Sequence, residues 1–478
     1  MGTSRRVLLA RQTDWIADPW ECYQRLETKT PRVLLESTRT GPATGRYSIL
    51  AWDPFLIFRY EKGKIRLTSR GGRERSFRTD DPIGKLREVF QKYRVAPDAS
   101  LPPFAAGAIG YFAYECKDHL EGRLRSRFRD ELSVPEIYFL FFDRSVVWDH
   151  DTRRMIFCGR GDLKKWENEC RKALGHPYNV DPYDADFPMD IRFSMRQDEY
   201  ENAVCRAKEY IRQGEIFQAN LSHRISFKLP QGAKRLYARL REVNPSSFFG
   251  ILESGDFEIV SGSPERLLRL EGRSLDTRPI AGTRARGKDP AEDQALSLDL
   301  FLSEKERAEH VMLVDLERND LGRVCEVGSV QVDEFMSLEN YSHVKHITSN
   351  VRGTLREGLD AFDALKAFFP GGTITGAPKI RCMQIIDELE TVPRGPYTGS
   401  LGYLSFTGDM DLNILIRSLV VRDGTAWLNV GAGIVADSDP KKEYHETLHK
   451  AKAVLEAVFG EKNVREFYER RGVTAQVS

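Results

Sequence analysis

Two pairs of glutamates, Glu306 with Glu309 and Glu443 with Glu446, are the residues of this chain whose type and spacing most directly suggest chemistry. Each pair lies in a segment of helical periodicity. Residues three apart share a helix face, so each pair can aim two carboxylates at one point. Two such faces over a cleft suit Mg2+, a hard cation that takes a few carboxylates and fills its shell with water and substrate oxygens. Solvated helix faces carry the same Glu-x-x-Glu pattern, and spacing alone does not separate the two readings. A third pattern overlaps the second pair: His445-Glu446-Thr447-Leu448-His449 matches His-Glu-x-x-His, the helix of zinc hydrolases. Against zinc, the metzincin extension is missing and Glu461 is the only nearby downstream acid that could serve as a third ligand.

Other segments point to anions. Phe369 to Lys379 places Gly371, Gly372 and Gly376 ahead of Pro378 and Lys379. Glycine leaves no Cβ in the way, so the backbone N–H groups of such a loop can approach an anion; a tight turn is the plainer alternative. It is not a phosphate-binding loop of the Walker type, because Ala377-Pro378 follows Gly376. Arg278, Arg284 and Arg286 surround a Pro/Gly turn, either as forks for a ligand's carboxylates or as an exposed basic turn. Val430 to Ile434 again offers bare backbone N–H groups, and Lys450, four residues after Glu446, can balance that carboxylate or bind an anion. Together these segments read as a site for a small, multiply anionic molecule.

The elements that must position these residues mix strands and helices without regular β-α alternation, which predicts an α+β fold. Strands are expected at Arg32–Leu35, Arg46–Leu50, Leu56–Tyr60, Phe104–Tyr114, Val134–Phe142 and Phe217–Leu229, and helices at Asp198–Arg212, Glu304–Asp315 and Glu443–Val458. Residues 176–190, with three prolines and four aspartates, read as a linker between an N-terminal region, 1–175, and a catalytic region, 191–478. With 72 basic and 71 acidic residues among 478, no global field favours nucleic acid or an anionic membrane. The longest apolar run is far short of a membrane span. Seven cysteines without a Cys-x-x-Cys pair suit a reducing compartment, so a soluble cytoplasmic protein is expected.

Taken in order, these segments closely resemble the chorismate-utilising enzymes. The matching blocks are Ser263 to Arg266, Pro279 to Thr283, Glu306 to Asp320, Ser342 to Ser349, the glycine loop, Gly399 to Arg417 and Gly431 to Lys450. The N-terminal part matches more loosely, through Leu34 to Ser37, Gly45 to Ser48 and the strand around Gly110. The resemblance implies one intertwined sandwich of two antiparallel sheets with a helical layer. It implies Mg2+ held by Glu309 and Glu446, supported by Glu306 and Glu443. Tyr397, Arg417, Lys450 and the backbone of Gly282, Ala432 and Gly433 would bind the substrate, with His346 and Thr283 lining its ring. Glu265 would act as general acid.

Water-using relatives carry a lysine base near the position of Gln218. An amide cannot deprotonate water, so ammonia is the expected nucleophile. Some aminodeoxychorismate-forming relatives carry a lysine at position 281 that is proposed to attack the ring; Ala281 leaves that covalent step open. Gly371-Gly372-Thr373 and Met410 to Asn413 favour 4-amino-4-deoxychorismate as product, with anthranilate next. A separate glutamine amidotransferase is the implied ammonia source. Leu35, Glu36 and Ser37 match a tryptophan pocket. Its partner segment, Asn244-Pro245 onward, departs from the usual pattern, which leaves tryptophan feedback open and a silent tryptophan sensor as a distant alternative.

Overall fold

The structure, a computed structural model, describes residues 7–473 except 27, 29, 39–44, 121–131, 176–182, 186 and 341–343; the side chains at 283, 285, 305, 340 and 344 are likewise not described. Most of the expected linker and Ser342 therefore lie outside the described residues.

Two antiparallel sheets of twelve strands each carry the chain. The first runs Leu9–Gln12, Arg154–Gly159, Arg144–Asp149, Tyr47–Trp52, Arg32–Glu36, Phe248–Glu253, Glu258–Ser263, Ser418–Arg422, Thr425–Ile434, Gln218–Lys228 and Arg192–Phe193, with Gly376–Ala377 also pairing Gln218–Lys228. The second runs Ile280–Ala285, Val344–Thr354, Ser274–Arg278, Arg266–Glu271, Met410–Asn413, Ser400–Ser405, Gly107–Phe112, Ile137–Phe142, Leu56–Glu61, Lys64–Ser69 and Glu74–Arg78, with Gln331–Asn340 also on Val344–Thr354. Strands from both sides of segment 176–190 enter both sheets.

Side chains alternate across a strand, and the first sheet uses both faces. Val33, Ile49, Ala51, Val147, Leu252 and Ile259 pack into one core with Phe58, Ile109 and Phe139 of the second sheet. Their neighbours Leu34, Leu50, Val146, Trp148, Ile251 and Val260 pack on the other side with the helices Gln197–Arg212, Gly232–Val243, Lys379–Leu389 and Pro440–Phe459. Each fully buried side chain of this kind contributes roughly 1.5–3 kcal/mol, which fixes the register of the strands that carry the site.

The helix expected at Asp198–Arg212 spans Gln197–Arg212, and Gly214 follows with φ +77°. The strand expected at Phe217–Leu229 spans Gln218–Lys228. The second acidic pair sits in the first turns of Pro440–Phe459, where Asp439 accepts from the Lys442 N–H. The first pair lies on a helix that runs past the expected Asp315 to Gly322. Gly110 marks the closest strand approach: a Cβ there would fall 1.9 Å from the Tyr138 carbonyl oxygen. No helix among the described residues is long and apolar enough to cross a membrane.

Candidate active site

Gln218 opens its strand, and antiparallel pairing sets Asn220 opposite Gly433 and Leu221 opposite buried Ala432. The Gln218 side chain is buried; its Nε2 donates to Glu309 Oε1 at 3.3 Å, and its Oε1 has no hydrogen-bond partner. Gly433 makes room for this. A Cβ there would lie 2.4 Å from Gln218 Nε2 and 3.9 Å from Glu309 Oε1. One strand end thus brings together three residues singled out in the sequence.

The edge of the second sheet supplies another group. His346 Nδ1 lies 3.1 Å from the Gly282 carbonyl, and because a carbonyl only accepts, that nitrogen carries the proton. Gly282 has φ +61°, and a Cβ on it would lie 3.0 Å from Glu306 Oε2, so only glycine fits between the histidine and the acid. Glu306 also lies 3.4 Å from Arg284. Thr283 pairs with His346 in the strand register.

Glu265 sits in the turn between two strands of different sheets. Its N–H donates to Ser263 Oγ at 3.2 Å and its carbonyl accepts from the Ile414 N–H at 3.0 Å. Its carboxyl is buried, Oε1 has no hydrogen-bond partner, and burial pushes the pKa up to about 7. Thr373, the Ile280 backbone and the cations Arg417 and Lys450 pull the other way and are outweighed. Behind it lies buried Glu317, raised first by burial and then by Asp320.

Tyr397, Lys450 and Arg417 gather around the next strand. Lys450 Nζ donates to the Gly431 carbonyl at 3.1 Å and pairs with Glu446 at 2.9 Å. A Cβ on Gly431 would lie 2.8 Å from the Tyr397 hydroxyl, so the phenol and the ammonium address one residue. Burial lowers the Lys450 pKa, but Glu446, Tyr397 and Glu443 outweigh it and hold the ammonium charged. Although surrounded by these groups, the Lys450 side chain is 46% accessible, so solvent reaches it. Glu443 is buried beside it, and Arg417 adopts φ +50° with its carbonyl taken by the Gly262 N–H. A buried acid with carboxylates and two cations near it can bind an anionic substrate and protonate a leaving group.

Comparison with known proteins gives the family. The family model described as chorismate binding enzyme matches residues 30–456. The chain belongs to the chorismate-binding enzymes. It is 43% identical over 450 residues to aminodeoxychorismate synthase component 1 of Bacillus subtilis (strain 168), covering 90% of this chain and 92% of the relative. It is 42% identical over 456 residues to anthranilate synthase component 1 of Aquifex aeolicus (strain VF5), covering 92% of each. The crystal structure of anthranilate synthase component I from Streptococcus pneumoniae TIGR4 superposes with a TM-score of 0.77 at 36% identity, over 92% of this chain and 97% of that one.

Within this chorismate-binding fold, several expectations from the sequence change. The glycine loop is a packed turn rather than an open anion cradle: the Thr375 and Gly376 N–H groups go to the Gly372 carbonyl. Lys379 pairs with Asp320 at 2.5 Å and also donates to the Phe368 carbonyl. The three clustered arginines fork the protein's own carboxylates, Arg278 on Glu334 and Glu339, Arg284 on Asp299, and Arg286 on Asp293. The four site glutamates supply only hard oxygen donors, and no group of three or more His, Cys, Asp or Glu among the described residues is placed to hold a metal. That also leaves His445 and His449 outside any such cluster.

Leu35 to Ser37 lie beside 244–249 through strand pairing of Glu36 with Phe249 and a 2.8 Å bond from the Ser246 N–H to Thr38 Oγ1. Asn244 and Pro245 are half-buried there, while the Glu36 carboxylate accepts from Tyr237 and Arg241. Sequence reasoning overlooked buried Arg394 and Glu390, whose only local signal is their spacing of four.

Proposed function

We propose that this protein converts chorismate and ammonia to 4-amino-4-deoxychorismate, toward p-aminobenzoate and folate, as component 1 of a two-component synthase. The observation that carries the reading is Gln218. Its amide, held by Glu309, matches the position at which water-using relatives carry a lysine base, and an amide cannot remove a proton. Ammonia needs no such activation, because it brings its own lone pair. Ala281 offers no amine, so ammonia would add to the ring directly.

Tyr397, Arg417 and Lys450 would bind the enolpyruvyl carboxylate, and His346 would line the ring. Glu265, kept protonated by burial, gives its proton to the departing ring hydroxyl so that water rather than hydroxide leaves. The resulting carboxylate can take the surplus proton from the added nitrogen. Glu309 and Glu446, supported by Glu306 and Glu443, would hold Mg2+, a hard cation that takes carboxylate oxygens. When bound, that ion supplies charge neutralisation at the ring carboxylate.

Gly371 supports aminodeoxychorismate over anthranilate. Anthranilate-forming relatives are associated with alanine at this position, and Met410 to Asn413 points the same way. None of the seven cysteines sits in a Gly-x-Cys-x-Gly elbow, so a separate glutaminase would supply the ammonia. Incubation with chorismate, Mg2+ and ammonium at high pH, read by mass spectrometry, tests the proposal. Aminodeoxychorismate is expected. Anthranilate with pyruvate would transfer the assignment to that branch, and tight tryptophan binding without turnover would make the chain a sensor.

A further inference from the structure

Three segments of the site meet at one buried guanidinium. Arg394 is 2% exposed, and each of its five N–H donors has a partner. Nε reaches Glu390 Oε2 at 3.0 Å. One terminal nitrogen reaches the Ile374 carbonyl at 3.0 Å and Thr398 Oγ1 at 3.2 Å, and the other reaches the Asn220 carbonyl at 2.5 Å and Glu390 Oε1 at 2.6 Å. Ile374 belongs to the glycine loop, Asn220 to the strand of Gln218, and Thr398 follows Tyr397. Glu390 in turn accepts from the Ser222 N–H and hydroxyl at 2.8 and 2.9 Å, which ties the same strand a second time.

Thr398 is unusual. It holds φ +58°, a left-handed conformation that β-branched residues avoid, and it is buried. Its hydroxyl accepts from Arg394 and donates to the Tyr397 carbonyl at 2.6 Å, while its N–H goes to the Leu415 carbonyl at 2.8 Å. A strained residue that persists must be over-determined by its surroundings, and here those surroundings are Arg394. The peptide so bent sets the direction of the Tyr397 ring, over which the guanidinium also lies at 5.7 Å.

We propose that Arg394 and Thr398 form a positioning brace that fixes the Tyr397 hydroxyl against Gly431 and Lys450, and so sets affinity for the substrate carboxylate. This rests on the reading of Tyr397 as a carboxylate ligand. The brace acts on binding rather than on proton transfer, so its loss should appear in KM for chorismate. Thr398→Gly keeps the positive φ and removes the hydroxyl. It should raise KM about tenfold, the cost of one misplaced hydrogen bond, with kcat within about threefold of wild type. Thr398→Ser restores the hydroxyl and should return KM to within about twofold. Arg394→Lys keeps the charge but not the fork and should raise KM likewise; if that variant fails to fold, the Thr398 pair still decides.

Tyr397→Phe is the control. If it raises KM and Thr398→Gly does not, the brace is overturned and the carboxylate site stands. If Tyr397→Phe leaves KM unchanged, the carboxylate reading fails and the brace with it. Equal impairment in Thr398→Ser and Thr398→Gly would also overturn the brace, because the hydroxyl would then not be the element that matters.

Discussion

Glu265→Gln separates the cost of keeping an acid buried from its use. The rise of the Glu265 pKa from 4.5 to about 7, at about 1.4 kcal/mol per pH unit, amounts to about 3 kcal/mol. Below pH 4.5 the folded and unfolded chains both hold the proton, and the residue makes no pH-dependent difference. Between 4.5 and about 7 the unfolded carboxyl ionises while the folded one does not. The folded state then binds more protons, so wild-type stability falls as pH rises and levels off above about 7. Glutamine never ionises. The stability of Glu265→Gln relative to wild type should therefore grow from its value at pH 4.5 by about 3 kcal/mol at pH 8, measured by urea unfolding at several pH values. Turnover should fall roughly 10²- to 10⁴-fold over the same range, the usual contribution of a general acid. A stability difference that stays flat with pH, or that moves against the variant, would refute burial as the cause of the raised pKa.

Three further substitutions probe the geometry. Gly433→Ala places a methyl 2.4 Å from Gln218 Nε2; the flexible amide should swing off Glu309, leaving the fold intact by circular dichroism and lowering turnover about 10- to 100-fold. Activity within twofold of wild type would show that the amide's placement is not used. Glu446→Gln alters a half-exposed side chain, so thermal stability should change by less than about 0.5 kcal/mol while Mg2+-dependent turnover is lost; retained Mg2+ dependence would remove Glu446 from the metal set. Gly110→Ala has no such relief, because its methyl would meet the Tyr138 backbone at 1.9 Å. It should cost more than about 3 kcal/mol or prevent soluble expression, and a well-folded variant would contradict the strand packing.

The helix Pro440–Phe459 is legible in the sequence because Tyr444, Leu448, Ala451 and Leu455 recur on one face and Asp439 caps the start. The helix Glu304–Gly322 is not legible beyond Asp315. The turn Glu317-Arg318-Asn319-Asp320 looks like a solvated end, and only the distant Lys379 explains why Asp320 is buried there. The arginines at 278, 284 and 286 mislead for a related reason: sequence shows a charge but not its partner, and Glu334, Glu339, Asp299 and Asp293 come from other elements. Arg394 lies in a segment with no periodicity and no repeated motif. Its role depends on three backbone carbonyl or hydroxyl groups that the chain brings together only on folding. Position-specific chemistry at Glu265, Gln218 and Gly433 is legible only by resemblance, since neither burial nor a 3.3 Å contact leaves a trace in composition.

The field around Glu265 predicts how the acid survives at the alkaline pH where free ammonia is abundant. Burial raises its pKa while Arg417 and Lys450 lower it. The enolpyruvyl carboxylate of a bound substrate would face those same cations and cancel their influence, leaving burial less opposed. That change favours the protonated form, so Glu265 should hold its proton more firmly once substrate is bound. The protonated form is the active one, so activity is present below the pKa and lost as pH rises through it. With rates expressed per free ammonia, the falling limb of kcat/KM, which reports the unliganded enzyme, should lie near pH 7, and the falling limb of kcat should lie at least about one unit higher. Coincident limbs would mean that the substrate's charge does not reach Glu265. The enolpyruvyl carboxylate would then have to be neutralised away from Arg417 and Lys450, and the binding geometry argued from Tyr397 and Gly431 would have to be redrawn.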